Sequence, residues 1–175
     1  EEANASSKLA TEYTNHAASY LSQGLVDNAL AMLEKAKIIN NVNPSVSADM
    51  DITFTLGMKH FHRGNLEEGL ACFERASGMA TKVGDYAILF TCHFCMALIF
   101  DSRGDFNGVF DEAFKALELS KKTESELRRI TACTLMIHAL KRSGRKDEIE
   151  GECLATISSS NTDEWDIHTL SRGKI

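Results

Sequence analysis

The chain has 175 residues, a formal net charge of −6 from 25 acids and 19 bases, and 43% hydrophobic against 25% charged residues. That size and balance fit one soluble globular domain able to bury a core, and the acidic excess argues against nonspecific nucleic-acid binding as the main activity. A single proline leaves few breaks in a helix-rich chain, and no apolar run reaches the roughly 18 residues that a membrane span needs.

Taken from the amino end, Glu1-Glu2-Ala3-Asn4 has neither a basic stretch nor an apolar one, so no signal peptide is expected, and the missing initiator Met reads as an excised fragment. Residues 1–7 are expected to fray. From there the chain is punctuated by Gly24, Gly64, Gly104 and Gly144, spaced 40 residues apart without drift. Each follows one apolar-periodic segment and precedes another, the mark of a repeated helical hairpin.

The first unit carries Ala17, Tyr20, Gly24, Val26, Ala29, Leu33 and Ala36. In the second, helix A is predicted over 49–63 and helix B over 66–83. Gly64 closes helix A in a left-handed conformation, and Asn65 caps helix B ahead of Glu67 and Glu68. The third repeats the plan with Met96-Ala97, Phe100, Gly104-Asp105-Phe106, Val109, Ala113 and Ala116. The fourth, with Met136-Ile137, Leu140, Gly144, Ile149, Cys153 and Thr156, matches least well. Small residues (Ala17, Ala29, Ala36, Gly57, Gly69, Ala76, Ala97, Ala116) stand where two helices must cross closely, and Leu56, Phe73 and Phe100 are read as core.

These positions resemble a tetratricopeptide repeat, in a 40-residue variety similar to that of spindle-orientation adaptors, kinesin light chains and bacterial signal-responsive regulators. Lys82-Val83-Gly84-Asp85-Tyr86 is similar to the Gly-Asp turn between such repeats. Leu56 to Ala76 also resembles helical repeats of proteasome-lid and cohesin-loader scaffolds. The chain departs from the pattern in lacking the first-helix Trp and a Pro that closes helix B; its one proline, Pro44, falls in the first inter-repeat loop. The resemblance implies an all-α fold, a right-handed α-solenoid of about four hairpins over residues 8–157. Residues 158–175 follow as a loop with either a short capping helix or the start of a truncated repeat.

The resemblance further implies that the A helices line a concave groove. By offset, the first unit presents Thr14, Ala18, Leu21 and Ser22, and Asp51 and Thr91, Thr131 and Thr134 hold matching places in the others. The residues expected to bind a partner are Phe54, Met58, Phe61, His62, Phe94, Leu98, Asp101, His138, Lys141 and Arg142. The apolar middle suits a helix or extended peptide, and Lys141 and Arg142 suit an acidic group on it. The alternative for the Phe/Met stripe is core packing. The clamp by which some tetratricopeptide domains hold a chaperone's carboxy terminus is not expected, since Thr14, Ala18, Thr91 and Cys95 stand at the corresponding places.

Five cysteines in no framework spacing point to free thiols in a reducing compartment, cytoplasmic or nuclear. Cys92-His93-Phe94-Cys95 lies mid-helix, whereas redox pairs of that spacing sit at a helix start, and a zinc site would need two more ligands such as His60 or His62. No nucleophile–base pairing or phosphate-cradling loop is legible, so the chain is expected to be no enzyme and to need no cofactor. The expected function is a protein-interaction scaffold that binds a segment of another protein, without direct contact to nucleic acid or membrane, and with weak self-association through apolar end units. The alternative is a regulatory domain that senses a peptide or small ligand.

Overall fold

The computed structural model describes residues 2–145 and Cys153. Those residues form seven helices and no strand: α1 (Glu2–Ser22), α2 (Val26–Val42), α3 (Val46–His62), α4 (Leu66–Val83), α5 (Tyr86–Ser102), α6 (Phe106–Lys122) and α7 (Glu126–Arg142). They fall into two compact units, divided after Asp85. The second half of the fourth expected hairpin and the tail 158–175 lie outside the described residues, except that Cys153 is helical and buried.

The glycine period is written into the backbone. Gly24, Gly64, Gly104 and Gly144 all have positive φ, between 72° and 78°. At each, the residue after the glycine donates its N–H five residues back, Leu25 to Tyr20, Asn65 to His60, Asp105 to Phe100 and Arg145 to Leu140, at 2.8–3.0 Å. The glycine N–H reaches three residues back in every case. This is the Schellman closure, which satisfies the last carbonyls of the helix and needs a left-handed residue. The same geometry ends α4 at Gly84, and 40 residues later Glu124 takes the equivalent place with φ 50°, the only non-glycine with positive φ among the described residues.

Starts of helices differ more from expectation. Ser45 accepts from the Ala48 N–H at 3.4 Å, so α3 begins at Val46 rather than Asp49. Asp105 and Ser125 cap α6 and α7 in the same way. Asn65 occupies the cap position of α4, but its side chain makes no capping hydrogen bond. Nor is the amino end of α1 frayed back to residue 7. The helix is continuous from Glu2, the Ser6 hydroxyl accepts from Asn43 Nδ2, and Ser7 donates to Ser45.

In the first unit, α1 and α2 pack as an antiparallel hairpin, α3 and α4 as a second, and α3 lies against both α1 and α2. The core of the first hairpin is Ala17, Leu21, Ala29, Leu33 and Ala36 with Ile52 from α3, flanked by Tyr13, Tyr20, Met32, Leu56 and Met58. The alanines and Gly57 sit at the crossings and are buried, which lets helix axes approach closely. Gly57 is the tightest case. A methyl group there would meet Phe73 Cε1 at 2.7 Å and Cδ1 at 2.9 Å.

The second unit places α5 against α6 and α7, and α6 against α7. Its buried side chains include Cys92, Ile99, Val109, Leu117, Leu135, Met136 and Leu140. The α5 helix is apolar around most of its circumference, with buried residues on every face, the pattern of a helix with no solvent stripe.

Candidate partner-binding site

On α3, in the first unit, the expected binding residues split into two pairs. Phe54 is half-buried, its ring tilted against that of fully buried Phe73 at 5.7 Å, and Met58 packs on the core of the first hairpin. Both are held by the fold. One and two turns further on, Phe61 is half-buried and His62 exposed, their rings edge to face at 6.1 Å, and these are the accessible members of the set. Beside them the His60 Nδ1 is buried without a hydrogen-bond partner. Burial, with help from the Lys59 and Arg63 charges and against the pull of Glu68, holds the His60 imidazole below its usual range. This edge of α3 is therefore aromatic, and burial disfavours the charged form of His60.

At the positions offset from these on α1, Thr14 and Leu21 are buried, and only Ala18 and Ser22 reach the surface. Asp51 accepts from the Thr11 hydroxyl at 3.2 Å, tying α3 to α1. Burial raises its carboxyl above the ordinary range, a shift that the Thr11 hydrogen bond opposes and the Asp85 charge reinforces.

In the second unit the apolar pair is buried. Phe94 and Leu98 are each only 8% exposed, so neither offers an open surface to a partner. The reason is the all-round apolar character of α5, which leaves no face that must point to water. Thr131 on α7 is buried as well.

The polar residues of the same unit do come together. His138 Nε2 lies 2.8 Å from Asp101 Oδ1, joining the last turns of α5 and α7 across 37 residues of sequence. Because a carboxylate only accepts, the His138 Nε2–H donates. Phe106, the first residue of α6, sets its ring edge-on to His138 at 6.2 Å, and the Arg142 guanidinium lies over the Phe106 face at 5.0 Å. Lys141 and Arg142 are exposed beside this cluster. The surface so formed combines a hydrogen-bonded Asp–His pair, an aromatic ring and two accessible cations. It suits a polar or acidic segment better than an apolar helix.

In the repeat pattern Phe106 belongs to the hairpin turn. The missed signal is the run Phe106, Phe110, Phe114, four residues apart and hence on one face of α6. A second unforeseen group is His93, Glu112 and Lys115. Glu112 is buried and accepts from His93 Nδ1 and Lys115 Nζ, both at 2.6 Å. Burial alone raises the Glu112 carboxyl, but the hydrogen bonds and charges of His93 and Lys115 outweigh it and leave the group below its ordinary value. The three side chains brace α5 against α6.

The Cys92/Cys95 pair is buried, and burial together with the neighbouring Cys92 pushes the Cys95 thiol far up, away from the thiolate that redox chemistry or metal binding needs. Among the described residues no three His, Cys, Asp or Glu side chains are placed to hold a metal ion, and no helix is long and apolar enough to cross a membrane. No family model, curated protein or solved structure matches the chain.

Proposed function

We propose that the chain is a non-catalytic interaction module, a set of four tetratricopeptide-like hairpins that binds a segment of another protein and holds it in an assembly. The observation that carries this reading is the meeting of Asp101, His138, Phe106 and Arg142 at the end of the second unit. Side chains from the last turns of α5 and α7 and the first turn of α6 meet there, with Lys141 and Arg142 exposed beside them. The Phe61–His62 edge of α3, in the first unit, is a separate aromatic surface. A repeated helix pair used in this way recognises a ligand by shallow contacts spread over several elements. The compartment that fits free buried thiols is cytoplasmic or nuclear.

The test is capture from lysate by the wild-type chain, Phe61→Asp and Arg142→Glu, each first shown to be folded by circular dichroism. Specific proteins retained by the wild type and lost from both variants support the reading. If capture is unchanged in both, and a small molecule instead raises the thermal midpoint sharply, the ligand-sensing alternative replaces it.

A further inference from the structure

Asn107-Gly108 is the one Asn-Gly pair in the chain, and it stands in the first turn of α6, after the capping Asp105. Packing demands its glycine. A Cβ on residue 108 would lie 2.8 and 2.9 Å from Phe100 Cγ and Cδ1 and 2.9 Å from Asp105 Oδ2, so α6 approaches α5 here only with a hydrogen in that place. The same missing side chain leaves the Gly108 nitrogen unhindered towards Asn107 Cγ, which is what makes an Asn-Gly pair reactive. Asn107 is exposed to water. Its Oδ1 accepts from Arg145 Nη1 at 3.3 Å, a donor on the oxygen where negative charge develops if Cγ is attacked. The Gly108 N–H, in the first turn, donates to Asp105 Oδ1 at 3.0 Å in place of a helical carbonyl.

The repeat register bears on the same residue. Counted back by the glycine period, position 107 falls on Glu67 and then Asp27, and counted forward on Asp147. The first turns of α2 and α4 carry that acid, and the first turn of α6 carries none. In the first unit Asp27 lies 3.9 Å from Arg63, just past the end of α3. Asn107 is met in the same manner by Arg145, beyond the end of α7.

We infer that Asn107 is a site of spontaneous deamidation, reached through opening of the first turn of α6, and that the reaction installs at position 107 the acid that the other repeats carry. The Gly108 nitrogen loses its proton to hydroxide and attacks Asn107 Cγ. A cyclic imide forms, and the side-chain nitrogen leaves as ammonia. Water then opens the ring, giving aspartate or, by cleavage of the other imide bond, isoaspartate. The net exchange is one water for one ammonia, with no oxidant or reductant, and escape of ammonia makes it irreversible. Ring closure turns the Asn107–Gly108 peptide out of helical geometry, so it breaks the Asp105 cap and the Val109 N–H bond to Asp105 O, 3.0 Å long. Those bonds sit at a helix terminus, where local opening costs least. The positive end of α6 and the guanidinium already on that oxygen favour the new carboxylate. Like charges at Asp105 and Asp111 work against it, as Glu68 does at Glu67, whose place in α4 is acidic nonetheless. The added charge stands next to Phe106, at the edge of the candidate partner-binding cluster, and lowers the positive potential there.

The experiment is peptide mapping by mass spectrometry of the folded chain held at physiological temperature and mildly alkaline pH, with isoaspartate scored by enzymatic methylation. Asn28 and Asn65, which precede Ala29 and Leu66, are internal references, and a guanidinium-unfolded sample runs alongside. Aspartate and isoaspartate should accumulate at position 107, faster as pH rises, before either is detectable at Asn28 or Asn65 of the folded chain. Asp105→Ala, shown by circular dichroism to be folded, removes the cap and should convert about fivefold faster, whereas Asp105→Ser keeps a cap and should convert at the wild-type rate. An amide still intact at position 107 once the unfolded sample has converted overturns the inference. So does conversion at Asn28 or Asn65 at the same rate, or a rate no faster in Asp105→Ala than in wild type.

Discussion

Replacing Gly57 with alanine isolates the contact that sets how closely α3 and α4 approach. An added Cβ would lie 2.7 and 2.9 Å from two Phe73 ring carbons and 3.2 Å from Cys72 Cβ. Carbon pairs prefer about 3.5–4.0 Å, so the ring must retreat by most of an ångström. Phe73 is fully buried and already abuts Phe54, so that retreat displaces packed neighbours. Overpacking of this kind costs about 1–3 kcal/mol, against which a helix-interior Gly→Ala exchange returns roughly 1 kcal/mol of propensity. The net expectation is a loss of about 1 kcal/mol. Gly78, in α4, is the control, because a Cβ there meets nothing within 4 Å. Gly78→Ala should stabilise by about 0.5–1 kcal/mol. Urea titrations followed by far-ultraviolet circular dichroism measure both. A Phe73→Leu exchange should relieve the Gly57→Ala strain, seen as a favourable coupling in the double-mutant cycle. Equal stabilisation by the two alanines would refute the close-approach argument.

Three further outcomes follow from the same geometry. Glu124→Gly should stabilise the second unit by about 1 kcal/mol, since it relieves a left-handed residue, whereas Gly84→Ala at the equivalent turn should destabilise by a similar amount; thermal unfolding of the two variants decides. Glu112→Gln should lower stability at neutral pH by about 2 kcal/mol. Because the folded carboxyl titrates below its ordinary value of 4.5, that contribution is fully present above that value and fades as pH falls through the lowered one, so wild-type and variant curves should converge in acid. Asp51→Asn carries the opposite sign. Its folded carboxyl titrates above the ordinary 3.8, so ionisation costs stability at neutral pH, the variant should be the more stable there, and the advantage should vanish as pH drops below 3.8 in denaturant titrations.

How much of this was legible in the sequence depends on the physics behind each feature. The four hairpin turns were readable because a Schellman closure demands a left-handed residue, and glycine alone supplies it without cost. Glu124 escaped notice for the same reason, as it occupies that conformation without being glycine. The split of the binding residues was not readable. Periodicity assigns Phe94 and Leu98 to a face only when the opposite face is polar, and α5 has no polar face. Phe54 and Met58 stand at surface offsets, but Phe73 and the first hairpin's core reach them. Asp101 and His138 were both singled out, yet their contact across 37 residues depends on how α5 and α7 lie side by side, which no local pattern encodes. The α6 ladder is legible as a four-residue spacing of Phe106, Phe110 and Phe114, but the first of these also completes the Gly-Asp-Phe turn, which masks the run.

The most direct test of the interaction reading is site-specific photo-crosslinking in lysate, with the photoreactive residue at Arg142 and, as control, at Gly78 on α4. The account predicts a discrete protein adduct at Arg142 that an excess of the unlabelled chain competes away, and none at Gly78. No adduct at Arg142, or the same adducts at both positions, would contradict it.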